Sequence, residues 1–405
     1  MDVVEVARRL IRTPSPVRDG DERAVAALIQ ELLSEAGLPA AVVEAAHPDR
    51  PNLVMTIDFG SGGSHLALCG HIDTKPVGEA GWTVDPFLAT IDGDRLYGLG
   101  SADMKGAVAA MIVAASRVVR GGDVSTGRLS LVLTADEEDG AVYGARHLAE
   151  HTDLDLDALV IGEPGGIHDD YDSLHLVSRG LGRFRVTAEA QQGHSSLTSL
   201  LAFRNAGVDI AHAVSALARE LEPLVPENVD DLRGWEVTVN PGMTYSSGFG
   251  YGVLPQRMTS TLEIRTLPGM DADQTLDQVR AVLASTGATT GASYSATFDD
   301  PPRHWLEGTR TPAADPIVAA VQRAATQVLG AEMPLSVFPG TTDTSWFAAR
   351  RPGLTCLPAL GPGLLRRAHG ADEWVSVEAV HHTVDLYELL CREYLARPRP
   401  PGDAS

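Results

Sequence analysis

Several polar residues stand where apolar runs of the chain stop. His71 and Asp73 follow the run HLALC (65–69), Glu137 and Glu138 follow LSLVLT (129–134), and Glu163 follows ALVIG (158–162). Asp103 precedes a helical stretch that begins near Lys105, and His369 comes after the turn Gly361-Pro362-Gly363. Each has an ordinary reading by itself. A histidine at a strand end can be a hydrogen-bonded core residue, Asp73 suits a turn, Asp103 suits a helix cap, and an acidic doublet suits a solvated loop. Together they read differently, because side-by-side anions need a cation to be stable, and imidazole with carboxylate is a donor set that zinc accepts. One bridging carboxylate would let two ions sit ~3.5 to 4 Å apart, an arrangement suited to metal-assisted hydrolysis.

The elements that must position these groups alternate between strand-like runs and helical periods through the first 165 residues. That alternation predicts an α/β fold with a mostly parallel central sheet, whose crevice beyond the carboxyl ends of the strands collects the polar residues. Strands are expected at 52–57, 65–69, 129–134 and 158–161, with helices at 20–36 and 105–119, the latter carrying Val108, Ile112, Ala115 and Val119 on one stripe. The first part of this domain is taken as 1–177 and the second as 300–396, where helices at 316–329 and from the cap Ser376 to about Tyr394 resume the pattern around a run at 353–357. Between them, 178–299 reads as an inserted α+β domain, with alternation at 184–188, a helix over 200–221 and strands at 237–239 and 258–265. The Pro-rich segment 397–405 is expected to fray.

Composition narrows the function classes. A chain of 405 residues with 44% hydrophobic and 21% charged residues has the make-up of an ordinary globular enzyme and is too apolar for a disordered protein. Its 54 acidic against 32 basic residues leave a net charge of −22, which disfavours nucleic acid and anionic membrane surfaces as partners. Three cysteines, Cys69, Cys356 and Cys391, show no CxxC spacing, so neither a disulfide framework nor a thiolate zinc site is indicated. With no long apolar stretch, a cytoplasmic location is the expectation.

The strings CGHIDTKP, GWTVDPF, YGLGSADMKGA, TADEEDGAVYGAR, IGEP, GHSS, IRTLPGM, and GPG followed by AHGADEW, resemble the M20 family of zinc amidohydrolases and peptidases, with wording most similar to its acetylornithine deacetylase branch. The resemblance spans nearly the whole chain in the family's order. It implies a zinc-peptidase-like catalytic domain with two zinc ions, which cobalt or manganese can replace, interrupted by a smaller α+β lid that makes a homodimer. It makes Asp103 the bridging ligand, places His71 and Glu163 on one zinc and Glu138 and His369 on the other, and makes Glu137 the general base. Asp73 then accepts the other N–H of the His71 imidazole and fixes its tautomer. The implied reaction is attack by a metal-bound hydroxide on the amide of a small N-acyl amino acid, N-acetylornithine first.

In the inserted domain the resemblance makes His194 a donor to the oxyanion in the partner subunit's site, against a plain surface-loop reading. Arg265 becomes a clamp for a substrate carboxylate, with a structural ion pair as its alternative. The string GTTD, from Gly340 and Thr341 to Asp343, resembles a substrate-side loop worded more like the carboxypeptidase and desuccinylase members. A dipeptidase or carboxypeptidase is therefore the alternative activity, and a non-catalytic metal-binding relative a third reading, although no ligand position is lost. The chain departs from the family after GHSS, where LTSLLAFRNA lacks the usual Pro and Gly, and at Gly252-Val253-Leu254-Pro255 where many members have Asn before Val-Val-Pro.

Overall fold

The apolar runs lie side by side in one six-stranded sheet, in the spatial order Val42–His47, Arg50–Gly60, Gly127–Thr134, His65–His71, Ala158–Ile161 and Thr355–Leu357. The pairings from Gly127–Thr134 through Thr355–Leu357 are parallel, and the two on the other side are antiparallel. The computed structural model describes residues 1–79, 81–225, 234–248, 250–351 and 353–399. It divides into two units, one formed by Met1–Ser178, Thr309–Phe338 and Thr342–Ser405, the other by Arg179–Gly308 and Pro339–Thr341.

In the first unit both faces of the sheet are covered at its inner strands, which is why those strands read as unbroken apolar runs rather than alternating ones. His65–His71 is buried along its whole length. Ala67 and Cys69 face a cluster with Leu148 and Phe347, from the helices Ala145–His151 and Thr344–Arg350. On the opposite face a Cβ at Gly70 would lie 2.6 Å from Met104 Cε and 3.3 Å from Val108 Cγ2, so glycine there lets the helix Gly106–Gly121 come close. That helix was expected to be amphipathic, yet it is buried nearly all round, because the helices Val3–Ile11 and Val377–Leu395 cover the side away from the sheet. The helix Pro316–Leu329 has the start and stop its sequence signals, with Asp315 accepting from Ile317 N at 2.9 Å and Gly330 left-handed at φ 83°.

The second unit is an antiparallel sheet in the order Thr238–Ser246, Arg257–Thr266, Gly180–Glu189, Ser293–Phe298, with Trp305–Leu306 also paired to Gly180–Glu189. The helices Ala206–Glu220 and Ala272–Thr290 bury one face of it, where Phe184, Val186, Leu262 and Ile264 meet Ile210, Leu217, Leu276 and Val279. The first helix begins at Ala206, not near Leu200, because the Asn205 side chain caps it by accepting from Gly207 N at 2.9 Å. Leu200 and Leu201 precede that cap and are 76% and 59% exposed.

Of the segment expected to fray, residues 400–405 lie outside the described residues. The part before them is tied down: Arg399 Nη1 donates to Asp155 Oδ2 at 2.8 Å and its Nε to Asp157 Oδ1 at 3.1 Å. Among the described residues no helix is long and apolar enough to cross a membrane. The three cysteines are buried and unpaired.

Candidate active site

The first unit brings together all seven polar residues singled out at its run ends and turns. His71 is the last residue of its strand and is buried. Its Nε2 lies 2.9 Å from Asp103 Oδ1 and 3.6 Å from Glu163 Oε1. The other oxygen of Asp103, Oδ2, lies 3.2 Å from His369 Nε2, which is also 3.2 Å from Glu138 Oε2. Asp103 thus faces a different histidine with each oxygen. Glu137 belongs to the same cluster, its ligand atom falling within 4.8 Å of those of His71 and Glu163.

Local backbone devices set this geometry. The turn before the helix Gly106–Gly121 is anchored by Glu373, whose Oε2 accepts from Gly100 N at 2.9 Å and whose Oε1 accepts from Ala102 N at 2.9 Å and Asp103 N at 3.1 Å. The acidic doublet sits in a single turn entered through Asp136 in the left-handed region at φ 63°. Arg50 holds that residue, with Nη1 3.3 Å from Asp136 Oδ1 and 2.8 Å from Glu22 Oε1. Glu163 follows the strand Ala158–Ile161, and its carbonyl accepts from Gly361 N at 2.8 Å. His369 is left-handed at φ 62°, with its side chain 49% exposed.

Asp73 differs from expectation. The Nδ1 of His71 meets the main-chain carbonyl of Asp73 at 3.0 Å, whereas the nearer carboxylate oxygen is 3.7 Å away. That carboxylate instead accepts from Glu137 N at 3.2 Å and Glu138 N at 3.0 Å, so it orients the doublet rather than the imidazole. The carbonyl still fixes the ring, with Nδ1–H donating and Nε2 left to face Asp103.

Electrostatically the cluster is short of positive charge. Burial chiefly, with the charges of Asp343, Glu138 and Asp103, pushes the Glu137 carboxyl well above its usual range, and burial with Asp103 does the same to Glu163. Burial pushes Asp73 up to about 6. Asp103 moves the other way: burial opposes its charge, but hydrogen bonds from His369 and His71 outweigh burial and hold it below the usual carboxylate range. For His369 burial disfavours the charged ring, yet hydrogen bonds to Asp103 and Glu138 raise it to about 10. Glu373 is raised to about 8 by burial and the charge of Asp103, partly offset by the three N–H groups it accepts from.

The donor set fits divalent ions. Ligand atoms ~2.0 to 2.2 Å from a tetrahedral ion lie roughly 3.3 to 3.6 Å from one another; of the four histidine-to-carboxylate distances 3.6 Å falls in that range, while 2.9, 3.2 and 3.2 Å are shorter, hydrogen-bonded contacts that an ion would spread. Glu138 Oε1 is buried without a hydrogen-bond partner, as expected of an atom that serves a cation.

The remaining expected site residues fall elsewhere. Asp343 belongs to the first unit and is buried, its Oδ2 accepting from Thr134 Oγ1 at 2.8 Å, and burial raises its carboxyl to about 7. In the second unit Arg265 Nε donates to Glu263 Oε1 at 2.9 Å and its Nη1 to Thr341 Oγ1 at 3.3 Å, which is the ion-pair alternative. Gly340 lies beside Thr341 in the short piece Pro339–Thr341 that belongs to this unit. His194 is exposed, with Nδ1 accepting from Ser196 Oγ at 2.8 Å. Glu373, Lys75 and Arg50 were not singled out from the sequence. Glu373 stands inside the quoted string AHGADEW and Lys75 inside CGHIDTKP, which is the signal that could have found them.

The chain matches the model of "Peptidase family M20/M25/M40" over residues 67–393. A succinyl-diaminopimelate desuccinylase of Parvibaculum lavamentivorans is 31% identical, with 98% of this chain and 96% of the relative covered. Among solved structures, an M20 family metallo-carboxypeptidase from Sulfolobus solfataricus superposes with a TM-score of 0.79 at 19% identity, covering 97% of this chain and 99% of that one. A dinuclear metal-binding peptidase of the family from Bacillus subtilis has a TM-score of 0.67 at 16% identity, with 97% of each covered. The chain therefore belongs to peptidase family M20/M25/M40 and is a metal-dependent amidohydrolase.

Proposed function

We propose that this enzyme removes the acyl group from an N-acyl amino acid, using two zinc ions held by His71, Asp103 and Glu163 on one side and Asp103, Glu138 and His369 on the other. The observation that carries the reading is Asp103, which turns Oδ1 to one histidine and Oδ2 to the other at 2.9 and 3.2 Å. When bound, the ions supply Lewis acidity toward the amide carbonyl. Glu137 takes the proton of the attacking water on its carboxylate and returns it to the departing amine.

The desuccinylase named above supports an N-succinyl amino acid as the first substrate to test, ahead of the N-acetylornithine suggested by the motif wording. The amidase reading is tested by amine release from N-succinyl, N-acetyl and dipeptide substrates, before and after chelation and with zinc added back. Turnover that survives complete chelation would sink the metal mechanism, and turnover confined to dipeptides would leave the peptidase reading in its place.

His194 is assigned to a partner subunit's site in a homodimer. The exposed position and a second ring nitrogen with no hydrogen-bond partner among the described residues support this. Mixing inactive Glu137→Gln with inactive His194→Ala should regenerate activity in heterodimers, one of whose sites has both residues intact. No recovery after verified subunit exchange would remove the assignment.

A further inference from the structure

Two residues beyond Asp73, Lys75 reaches the acidic doublet from the opposite side of its turn. Its Nζ lies 2.9 Å from Glu138 Oε2 and also donates to the main-chain carbonyl of Glu138. Asp73 holds the amides of Glu137 and Glu138, so the turn is gripped by its N–H groups from one residue and by its carbonyl from the other. The segment cannot slide, because Thr74 N donates to Ser15 O at 3.0 Å and Thr74 O accepts from Val17 N at 2.8 Å. The oxygen that Lys75 holds is the one 3.2 Å from His369 Nε2. An ammonium group therefore stands beside one of the two proposed cation positions. At the other, Asp103 and Glu163 form ion pairs only with histidines among the described residues.

We propose that Lys75 makes the two cation positions unequal: as a resident positive charge on the Glu138 carboxylate it weakens the cation held by His369. This rests on the two-cation reading above. Two like charges on one buried carboxylate repel, whereas the His71 and Glu163 position carries no such competitor.

The test titrates the metal-free, full-length protein with Co(2+), followed by visible absorption and calorimetry. The wild type should take up two equivalents, the second at least ~10-fold more weakly. Lys75→Met, of similar length without the charge, should tighten the second equivalent by about tenfold or more and leave the first within about twofold. Lys75→Arg, which restores the charge, should keep the second weak. Lys75→Gln serves in place of the methionine variant should that variant not fold, with the same expectation. A second equivalent that is unchanged or weaker when the charge is removed overturns the inference, as does an arginine variant that behaves like methionine or a wild type with two equal equivalents. A wild type that takes up no Co(2+) instead overturns the metal reading on which the inference stands.

Discussion

Glu373→Gln tests whether the turn carrying Asp103 is held as described. The carboxylate of Glu373 is buried, and all three of its hydrogen-bond partners are donors: the amides of Gly100, Ala102 and Asp103, at 2.9, 2.9 and 3.1 Å. Glutamine has the same shape but replaces one acceptor oxygen with an NH2. If its oxygen keeps the Ala102 and Asp103 amides, the Gly100 N–H faces another donor. Above about pH 8, where the raised Glu373 carboxyl is charged, one hydrogen bond to a charged acceptor is lost and a buried donor is left unpaired, which costs ~2 to 4 kcal/mol. Metal affinity should fall as well, since the turn that aims Asp103 loosens, and groups that support a ligand are typically worth ~10 to 100-fold in affinity. Urea denaturation of the chelated protein measures the first effect and a zinc titration the second. A loss below about 0.5 kcal/mol together with unchanged zinc affinity would refute the anchoring role.

Further outcomes follow from other parts of the structure. Glu137→Gln should keep both metals and lose ~10² to 10⁴-fold in turnover, whereas Glu138→Gln should lose one metal; equal metal contents in the two purified variants would undo the division of roles. His65 is buried between Ser130 Oγ at 2.8 Å and the Asp155 carbonyl at 3.1 Å, and burial lowers its pKa to about 4. The unfolded chain then binds a proton at higher pH than the folded one, so stability is full above pH ~6.5 and declines by up to about 3 kcal/mol as pH falls through 4. His65→Gln should flatten that slope in chelated protein, and parallel slopes for variant and wild type would contradict it. Phe184→Ala should cost ~3 to 5 kcal/mol in the second unit's core while the first unit's metal content stays unchanged, checked by denaturation and metal analysis.

The groups proposed to hold metal were legible because a buried parallel strand announces itself as an apolar run, and whatever follows its end is delivered to the carboxyl edge of the sheet. His71, the Glu137 and Glu138 pair, and Glu163 all obey that rule. What the sequence could not show is which distant residue holds each of them. Glu373 stands about 270 positions from the amides it accepts, and nothing local to either segment encodes that approach. Asp73 shows a finer limit. Its spacing from His71 is right for a carboxylate-to-imidazole bond, yet main chain and side chain of one residue compete for the same ring, and here the carbonyl wins while the carboxylate takes two amides. Arg265 was half legible: Glu263 lies two residues away, so the alternation of a strand already puts the pair on one face.

The same electrostatics that make the site functional make it costly to fold. Asp73, Asp103, Glu137, Glu138, Glu163 and Asp343 bring six carboxyl groups into one region, several of which burial pushes toward the neutral form. A fold selected for stability alone would not gather them, because each charge must be either neutralised or paired. The partial remedies visible in the structure are directional. Amides point at Asp73 and Glu373, histidines at Asp103, and Lys75 at Glu138. In the cation-free cluster the positive charge facing Asp103 is a proton on His369, whose pKa is raised to about 10. On the two-cation reading proposed above, a divalent pair would take the place of that proton, and the cost of the anionic cluster would become binding energy for the metals: the more poorly the empty site is compensated, the more a cation gains by entering it.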